Sequence, residues 1–207
     1  MSDARALVAL YADESCLGNG REGANPGGAG ALLEFARDGD ELVRRDCWLS
    51  DPDTTNNRMA LRSVSDTLGA LHAKGASFRI VFTSDSRYLI DGMRDWVHGW
   101  AKRGWTRPAG PIENLALWHD AIASVGGSAV EWRWVRGHAG HTQNEYANFL
   151  ATRAAREQTA SHGWVESGFD LWLAEERNAR HLAAGPAPFP RAFRAARALP
   201  QVPVRRR

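Results

Sequence analysis

The chain has 207 residues, 43% of them hydrophobic, which suits one well-packed core with an appendage. No apolar run approaches the roughly 20 residues that a bilayer-spanning helix needs, so a membrane role is excluded from the expectations. The net charge of +2 hides an asymmetry: Arg191, Arg194, Arg197, Arg205, Arg206 and Arg207 lie in a segment without acids, leaving 20 basic residues against 24 acidic ones elsewhere.

The two cysteines, Cys16 and Cys47, fit no metal-ligand spacing, and no charged-then-apolar leader precedes the first strand. A reduced, cytoplasmic protein is expected. Nine tryptophans are many for this length, and several sit beside Lys and Arg, a pattern that suggests nucleic acid.

In chain order, Leu7 to Asn19 is an apolar run that ends in acids and a polar turn. Leu7, Ala9, Tyr11 and Asp13 share one parity of a strand, and Glu14 takes the other. A strand ending in an acid delivers it to a cleft, because an unpaired carboxylate in a core costs several kcal/mol. The glycine-rich loop from Gly18 to Gly30 has neither a GKS/GKT ending nor GxGxxG, so it is no phosphate loop. Strands near Ala29 to Phe35 and Leu42 to Leu49, joined by the turn Arg37-Asp38-Gly39-Asp40, complete an antiparallel meander.

Thr54-Thr55-Asn56-Asn57 starts a helix, with Met59, Leu61, Val64, Leu68 and Leu71 at helical spacing up to about Lys74. Phe78 to Thr83 is a fourth strand ending at Ser84-Asp85. A helix over Ser86 to Met93 leads into an aromatic, basic segment from Asp95 to Trp105. Another helix covers Glu113 to Val125, a fifth strand Val130 to Val135, and a last helix Thr142 to about Gln158, opened by a capping box from Thr142 to Glu145. Three strands followed by alternating strands and helices predict an α/β fold with a five-stranded mixed sheet, three antiparallel strands then parallel ones, flanked by helices.

The motifs LYADESCLGN, TTNNRM, TSDSRY, DWVHGWAKRGW, LWHDA and EWRWVRGHAGHTQNE resemble, in order and spacing, the bacterial type-1 ribonuclease H family over roughly residues 7 to 157. The resemblance implies cleavage of the RNA strand of RNA/DNA hybrids with two Mg²⁺ (or Mn²⁺) ions held by four carboxylates. Asp13 matches the first acid and Asp85 the third. The other two positions carry Ala60, where the family has Glu, and Asn148, where it has Asp.

His138 resembles the family's proton-shuttling histidine, and His141 reads as structural. Cys16, Asn19, Thr55, Asn56, Asn57 and Asn114 resemble groups that contact the hybrid, with turn and helix-cap chemistry as the alternative. Trp96, Trp100, Lys102, Arg103 and Trp105 resemble the basic protrusion that holds the DNA strand, while Trp118, Trp132 and Trp134 read as core.

Four carboxylates offset the repulsion between two divalent ions about 4 Å apart. Ala60 offers no ligand and Asn148 only a neutral carbonyl. Asp66 lies ~9 Å further along the helix and about 120° off the Ala60 face, so it is no substitute. Glu14, where the family has Gly, keeps the question open. The residues therefore point first to a hybrid-binding protein whose cleavage is lost or weakened and whose ions bind weakly. The alternative is an active endonuclease with an altered ligand set that includes Glu14.

The resemblance stops past Gln158, giving a ribonuclease H-like domain over 1–158. Residues 159–184 are expected to form an amphipathic helical extension that docks on the body or on a protein partner. Residues 185–207, rich in Pro, Ala and Arg, are expected to be disordered or extended.

Overall fold

The computed structural model describes residues 4–18, 24–37, 41–179 and 185–203. Asn19, the turn residues Asp38, Gly39 and Asp40, and the terminal Arg205, Arg206 and Arg207 lie outside the described residues.

Strand β1 (Leu7–Cys16) sits inside a six-stranded sheet with β2 (Gly27–Ala36), β3 (Leu42–Asp51), β4 (Arg79–Ser84), β5 (Ala129–Trp134) and a two-residue β6 (Val165–Glu166). The order is β5-β4-β1-β2-β3-β6. β1 runs parallel to β4 and β4 to β5, and the β1-β2-β3 pairs are antiparallel. The five expected strands and their mixed sense are present. The sixth, antiparallel to β3, comes from the 159–184 extension, where a helix alone was expected. A two-residue strand carries no periodicity for a sequence reading to find.

The parity of β1 divides the core. Val8, Leu10 and Ala12 face helices α1 (Asn56–His72) and α4 (Leu115–Ser124), in one cluster with Ala60, Leu61, Val64, Phe82, Trp118 and Trp132. Ala9 and Tyr11 face the other way, toward α5 (Thr142–Glu157), in a cluster with Tyr146, Leu150, Phe169 and Trp172. Trp118 and Trp132 are thus core residues, as expected, whereas Trp134, read as core with them, is only half-buried and donates from its indole to the Asp85 carbonyl.

Two glycines set how closely α5 lies on the sheet. A Cβ at Gly28 would collide with the Ala151 carbonyl, and one at Gly30 with the Ala147 carbonyl. Small residues on the facing stripe of α5, Ala147, Ala151 and Ala154, complete the close fit. Gly30 pairs with Asp13 across the β1-β2 ladder, so the helix comes closest beside that acid.

Between β4 and α4 the chain forms α2 (Arg87–Asp91), a π-helical turn (Gly92–Trp96) and α3 (Val97–Lys102). Regular helical spacing gave no sign of the π turn, which lets Gly92 pass against the Trp118 ring.

The extension docks rather than projecting. Asp46 on β3, buried, accepts hydrogen bonds from Tyr146 Oη at 2.6 Å, Ser167 Oγ at 2.6 Å and the Gly168 amide at 3.0 Å. These bonds fix the start of α6 (Phe169–Asn178), whose Phe169, Trp172 and Leu173 enter the second cluster. For 185–207 the sequence left disorder or an extended chain. Residues 185–203 are extended and follow β5, with the Ala196 amide donating to the Val130 carbonyl at 2.8 Å. Gln143 on α5 fixes the near end through two bonds, Nε2 to the Ala187 carbonyl and the Ala187 amide to Oε1.

Candidate metal centre and nucleic-acid interface

β1 and β4 are parallel neighbours, with Ala12 level with Ser84, so the residues just beyond that pair come together where β4 ends and β1 runs on beside β2 to Cys16. Asp13, Glu14 and Asp85 each bring a carboxylate oxygen to a common point, all within 4.8 Å of one another. The opposite parity of Glu14 therefore does not keep it out of the cluster, contrary to what alternation alone suggests. Both residues are still paired with β2, but β4 has ended at Ser84, so beyond Ala12 that edge of β1 is open and the Glu14 carboxylate reaches the common point across it. The Glu14 amide donates to Asp13 Oδ1 at 2.7 Å, which fixes the acid of the first residue with the backbone of the second.

Asp13 is 5% exposed. Burial, reinforced by Asp85 and Glu145, pushes its carboxyl up to about 8, against the Glu14 amide and the Asn144 side chain, which favour the charged form. Burial and the neighbouring Asp13 and Asp85 raise Glu14 as well, with Ser86 opposing. Burial also raises Asp85, while its own backbone and His138 lower it. Three acids with raised pKa values and hard oxygen donors at one point fit a divalent cation such as Mg²⁺ or Mn²⁺.

This arrangement has a stability signature. Between the unfolded value of 3.8 and the folded value of about 8, the folded state keeps a proton on Asp13 that the unfolded chain has lost. Stability of the metal-free chain therefore falls as pH rises through that window. Thermal melts are expected to show Tm decreasing from pH 5 to pH 8 in chelator. Mg²⁺ or Mn²⁺ is expected to restore it, more at pH 8 than at pH 5, by about 2.7 kcal/mol at a hundredfold excess over Kd. A pH-independent Tm that ignores both ions contradicts the assignment.

The α5 side of the site holds a residue that sequence reasoning passed over. Asn144, 2% exposed, donates from Nδ2 to Asp13 Oδ2 at 2.9 Å. Its only sequence signal is the helical i, i+4 spacing to Asn148, which puts both on one face of α5. Asn148 is half-buried one turn further on. Ala60, by contrast, is fully buried in the α1 side of the core.

The expected capping box is not formed. His141 is the N-cap and accepts from the Asn144 amide, while Thr142 is already helical and bonds through Oγ1 to the Gly185 carbonyl. A histidine ring can supply the same acceptor as a hydroxyl, which the Thr-x-x-Glu pattern concealed. Freed from that role, Glu145 lies 3.6 Å from His138 Nδ1. His138 is exposed, with a left-handed φ of 51°, on the loop after β5. The preceding Gly137 has no Cβ, and one placed there would strike the Asp85 carboxylate.

Six of the expected nucleic-acid contacts, Thr55, Asn56, Asn57, Asn114, Trp96 and Trp100, line two adjoining grooves, and Lys102, Arg103 and Trp105 line neither. Thr55, Asn56, Asn57, Arg58, Glu113 and Asn114 line a cavity of about 410 Å³. Thr55 is also the N-cap of α1, accepting from the Arg58 amide, and Asn114 has a left-handed φ of 56°. Tyr88, Trp96, Trp100, Arg107, Ile112 and Glu113 line a second cavity of about 250 Å³, so Glu113 borders both. The protrusion residues separate by role in packing: Trp100 is buried, Trp105 stacks edge-on against His119, and Trp96, Lys102 and Arg103 are exposed. Cys16 does not point into either groove and hydrogen-bonds through Sγ to the Thr54 carbonyl at 3.4 Å.

Comparison with known proteins agrees with this geometry. The RNase H family pattern matches residues 5–156. The chain is 40% identical over 153 residues to ribonuclease H of Erythrobacter litoralis, covering 73% of this chain and 98% of that protein. It is 42% identical over 147 residues to ribonuclease H of Stutzerimonas stutzeri, covering 70% and 89%. The crystal structure of LC9-RNase H1, a type 1 RNase H with the type 2 active-site motif, superposes with a TM-score of 0.90 at 59% identity, covering 100% of this chain and 99% of that one. With its mixed sheet, its acids gathered on β1 where β4 ends, and these relatives, the chain belongs to the RNase H family.

Proposed function

We propose that this protein is a divalent-metal-dependent endonuclease that cuts the RNA strand of RNA/DNA hybrids, with Glu14 in place of the carboxylate missing at Ala60. The observation that carries this reading is the convergence of Asp13, Glu14 and Asp85 within 4.8 Å. Strand parity gives it a physical basis. Glu14 alternates with Asp13 and so leaves β1 on the α1 side, the side on which a longer residue at position 60 would project its acid. Ala60 ends at Cβ and leaves that side to Glu14. The solved relative at 59% identity is itself a type 1 RNase H with another active-site motif, which supports a changed ligand set on this fold.

Asp13, Glu14 and Asp85 would hold the cation, and Asn144 keeps the Asp13 carboxylate aimed at it. When bound, divalent ions supply Lewis acidity at the scissile phosphate and lower the pKa of water. His138, with Nδ1 turned to Glu145, is placed to take up or return a proton at Nε2 as water adds to phosphorus and the 3′ oxygen leaves. The products are a 5′-phosphate and a 3′-hydroxyl. Asn56, Asn57 and Asn114 lie in the groove suited to the hybrid, and Trp96, Lys102 and Arg103 beside the second groove suit the DNA backbone.

The test is cleavage of an RNA/DNA hybrid labelled on each strand in turn, with Mg²⁺ and with Mn²⁺. The RNA strand is expected to be cut by the chain as it stands, and the DNA strand left whole. Binding without cleavage under both ions, together with cleavage by the Ala60→Glu, Asn148→Asp double variant, returns the protein to the class of hybrid binders.

A further inference from the structure

Residues 191–203 repeat with a period of three. Phe193, Ala196, Leu199 and Val202 are half-buried, and Ala196, Leu199 and Val202 pack on the α1-side core. Arg191, Arg194 and Arg197 are all exposed. Polyproline II geometry has three residues per turn and rises about 3.1 Å per residue, so one face of such a segment docks while another points outward. Ala-, Pro- and Arg-rich sequence without helix or strand pairing suits that geometry.

The segment is held at intervals by its backbone. The Ala196 amide donates to the Val130 carbonyl at 2.8 Å and the Arg194 amide to Glu131 Oε2 at 2.6 Å. The Ala192 carbonyl accepts from Arg133 at 3.3 Å. These bonds use main-chain groups, so the Arg191, Arg194 and Arg197 side chains are not what holds the segment down. The nearest acid on β5, Glu131, is already paired with Arg133 at 2.7 Å. The far end of the row reaches α3: Arg197 and Lys102 both act on the buried His98 and, after burial itself, help hold it below its usual value, with Asp95 opposing.

We propose that Arg191, Arg194 and Arg197 form a straight cationic rail that binds the phosphate backbone of a nucleic-acid duplex and continues the basic surface of α3. Its partner class rests on the hybrid reading above. The spacing is about 9 Å between successive arginines and about 19 Å overall, long enough to lie along several phosphates of one strand. Phosphate contacts of this kind carry no base or sugar preference and contribute affinity, register and retention.

The full-length chain in chelator, which blocks cleavage, is titrated against a fluorescein-labelled 20-base-pair RNA/DNA hybrid and against DNA duplex of the same length, between 50 and 200 mM salt. The R191Q/R194Q/R197Q variant is expected to bind both duplexes about tenfold more weakly at 100 mM salt. The slope of log K against log salt is expected to become shallower by about two to three. The matching triple lysine variant is expected to keep affinity and slope. Unchanged binding by the glutamine variant at an unchanged Tm overturns the rail, and so does equal loss in the lysine variant, which would reveal packing rather than charge. Tighter binding of polyglutamate than of duplex DNA reassigns the rail to an acidic protein and overturns the proposal. Failure of the hybrid reading is distinguishable, because it appears as absent RNA cleavage in metal while the DNA-duplex arm still reads the rail.

Discussion

Glu14→Gln is expected to reduce hybrid cleavage by about three orders of magnitude, equivalent to about 4 kcal/mol of transition-state stabilisation. The substitution keeps the shape and one oxygen of the side chain and removes only its charge. In metal-free solution its effect has the opposite sign. Burial, with the charges of Asp13 and Asp85 beside it, disfavours the charged form of Glu14, so a neutral amide there removes a desolvated charge from the cluster. The variant's Tm in chelator at pH 8 is expected to exceed that of the parent, and its response to Mg²⁺ to shrink. Loss of cleavage coupled to gain of metal-free stability identifies a ligand, whereas a structural residue loses both or neither. Unaltered turnover removes Glu14 from the site.

Ala60→Glu is the second large effect, and its direction runs against the family pattern. Ala60 is fully buried beside Leu10, Ala12 and Leu61, and the nearby acids already carry three carboxylates. A fourth adds volume to a packed core and another desolvated negative charge. The expected cost is about 3 kcal/mol or more, seen as a Tm lower by roughly 10 °C in chelator. No gain in cleavage is expected, since Glu14 already leaves β1 on the same side. Removing Glu14 at the same time, in the pair Glu14→Gly and Ala60→Glu, is expected to recover part of the lost stability and to cut better than Glu14→Gly alone. A fully active and fully stable Ala60→Glu single variant would show instead that the site has room for both acids.

Why the sequence displayed some of this and concealed the rest follows from the range of each signal. The apolar run up to Asp13 and the one up to Ser84-Asp85 are local patterns of parity and run length, and both acids were legible from them, although β1 does not end in its acid as expected and pairs with β2 as far as Cys16. The helical faces of α1 and α5 were legible for the same reason, through repeats of three and four. Glu14 was visible as an acid in an unexpected place, yet its membership of the cluster depends on where β4 ends beside it, which alternation along β1 does not encode. Asn144 carries no charge to draw attention, and its role rests on α5 being drawn close to β2 by Gly28 and Gly30, a contact between residues more than a hundred positions apart. The N-cap of α5 went to His141 because a ring nitrogen can do what a hydroxyl does. The segment after Gly185 was expected to be disordered or extended, because its Pro-, Ala- and Arg-rich composition suits no core of its own. It lies instead on a core built by others.

That last feature bears on where this protein can be cut. The family pattern ends at residue 156, and a fragment trimmed there would look complete by that pattern alone. β5 is the outer strand of the sheet, and its Val130 carbonyl is met by the Ala196 amide. Trimming would bare that edge, uncover the surfaces beneath Phe189 and Leu199, and free the Gln143 side chain, fully buried in the intact chain. An open outer strand beside bared apolar surface is a template for association between copies. The packed body therefore runs past residue 156, where the family pattern ends, and a fragment cut there is expected to associate more than the full chain, read by light scattering.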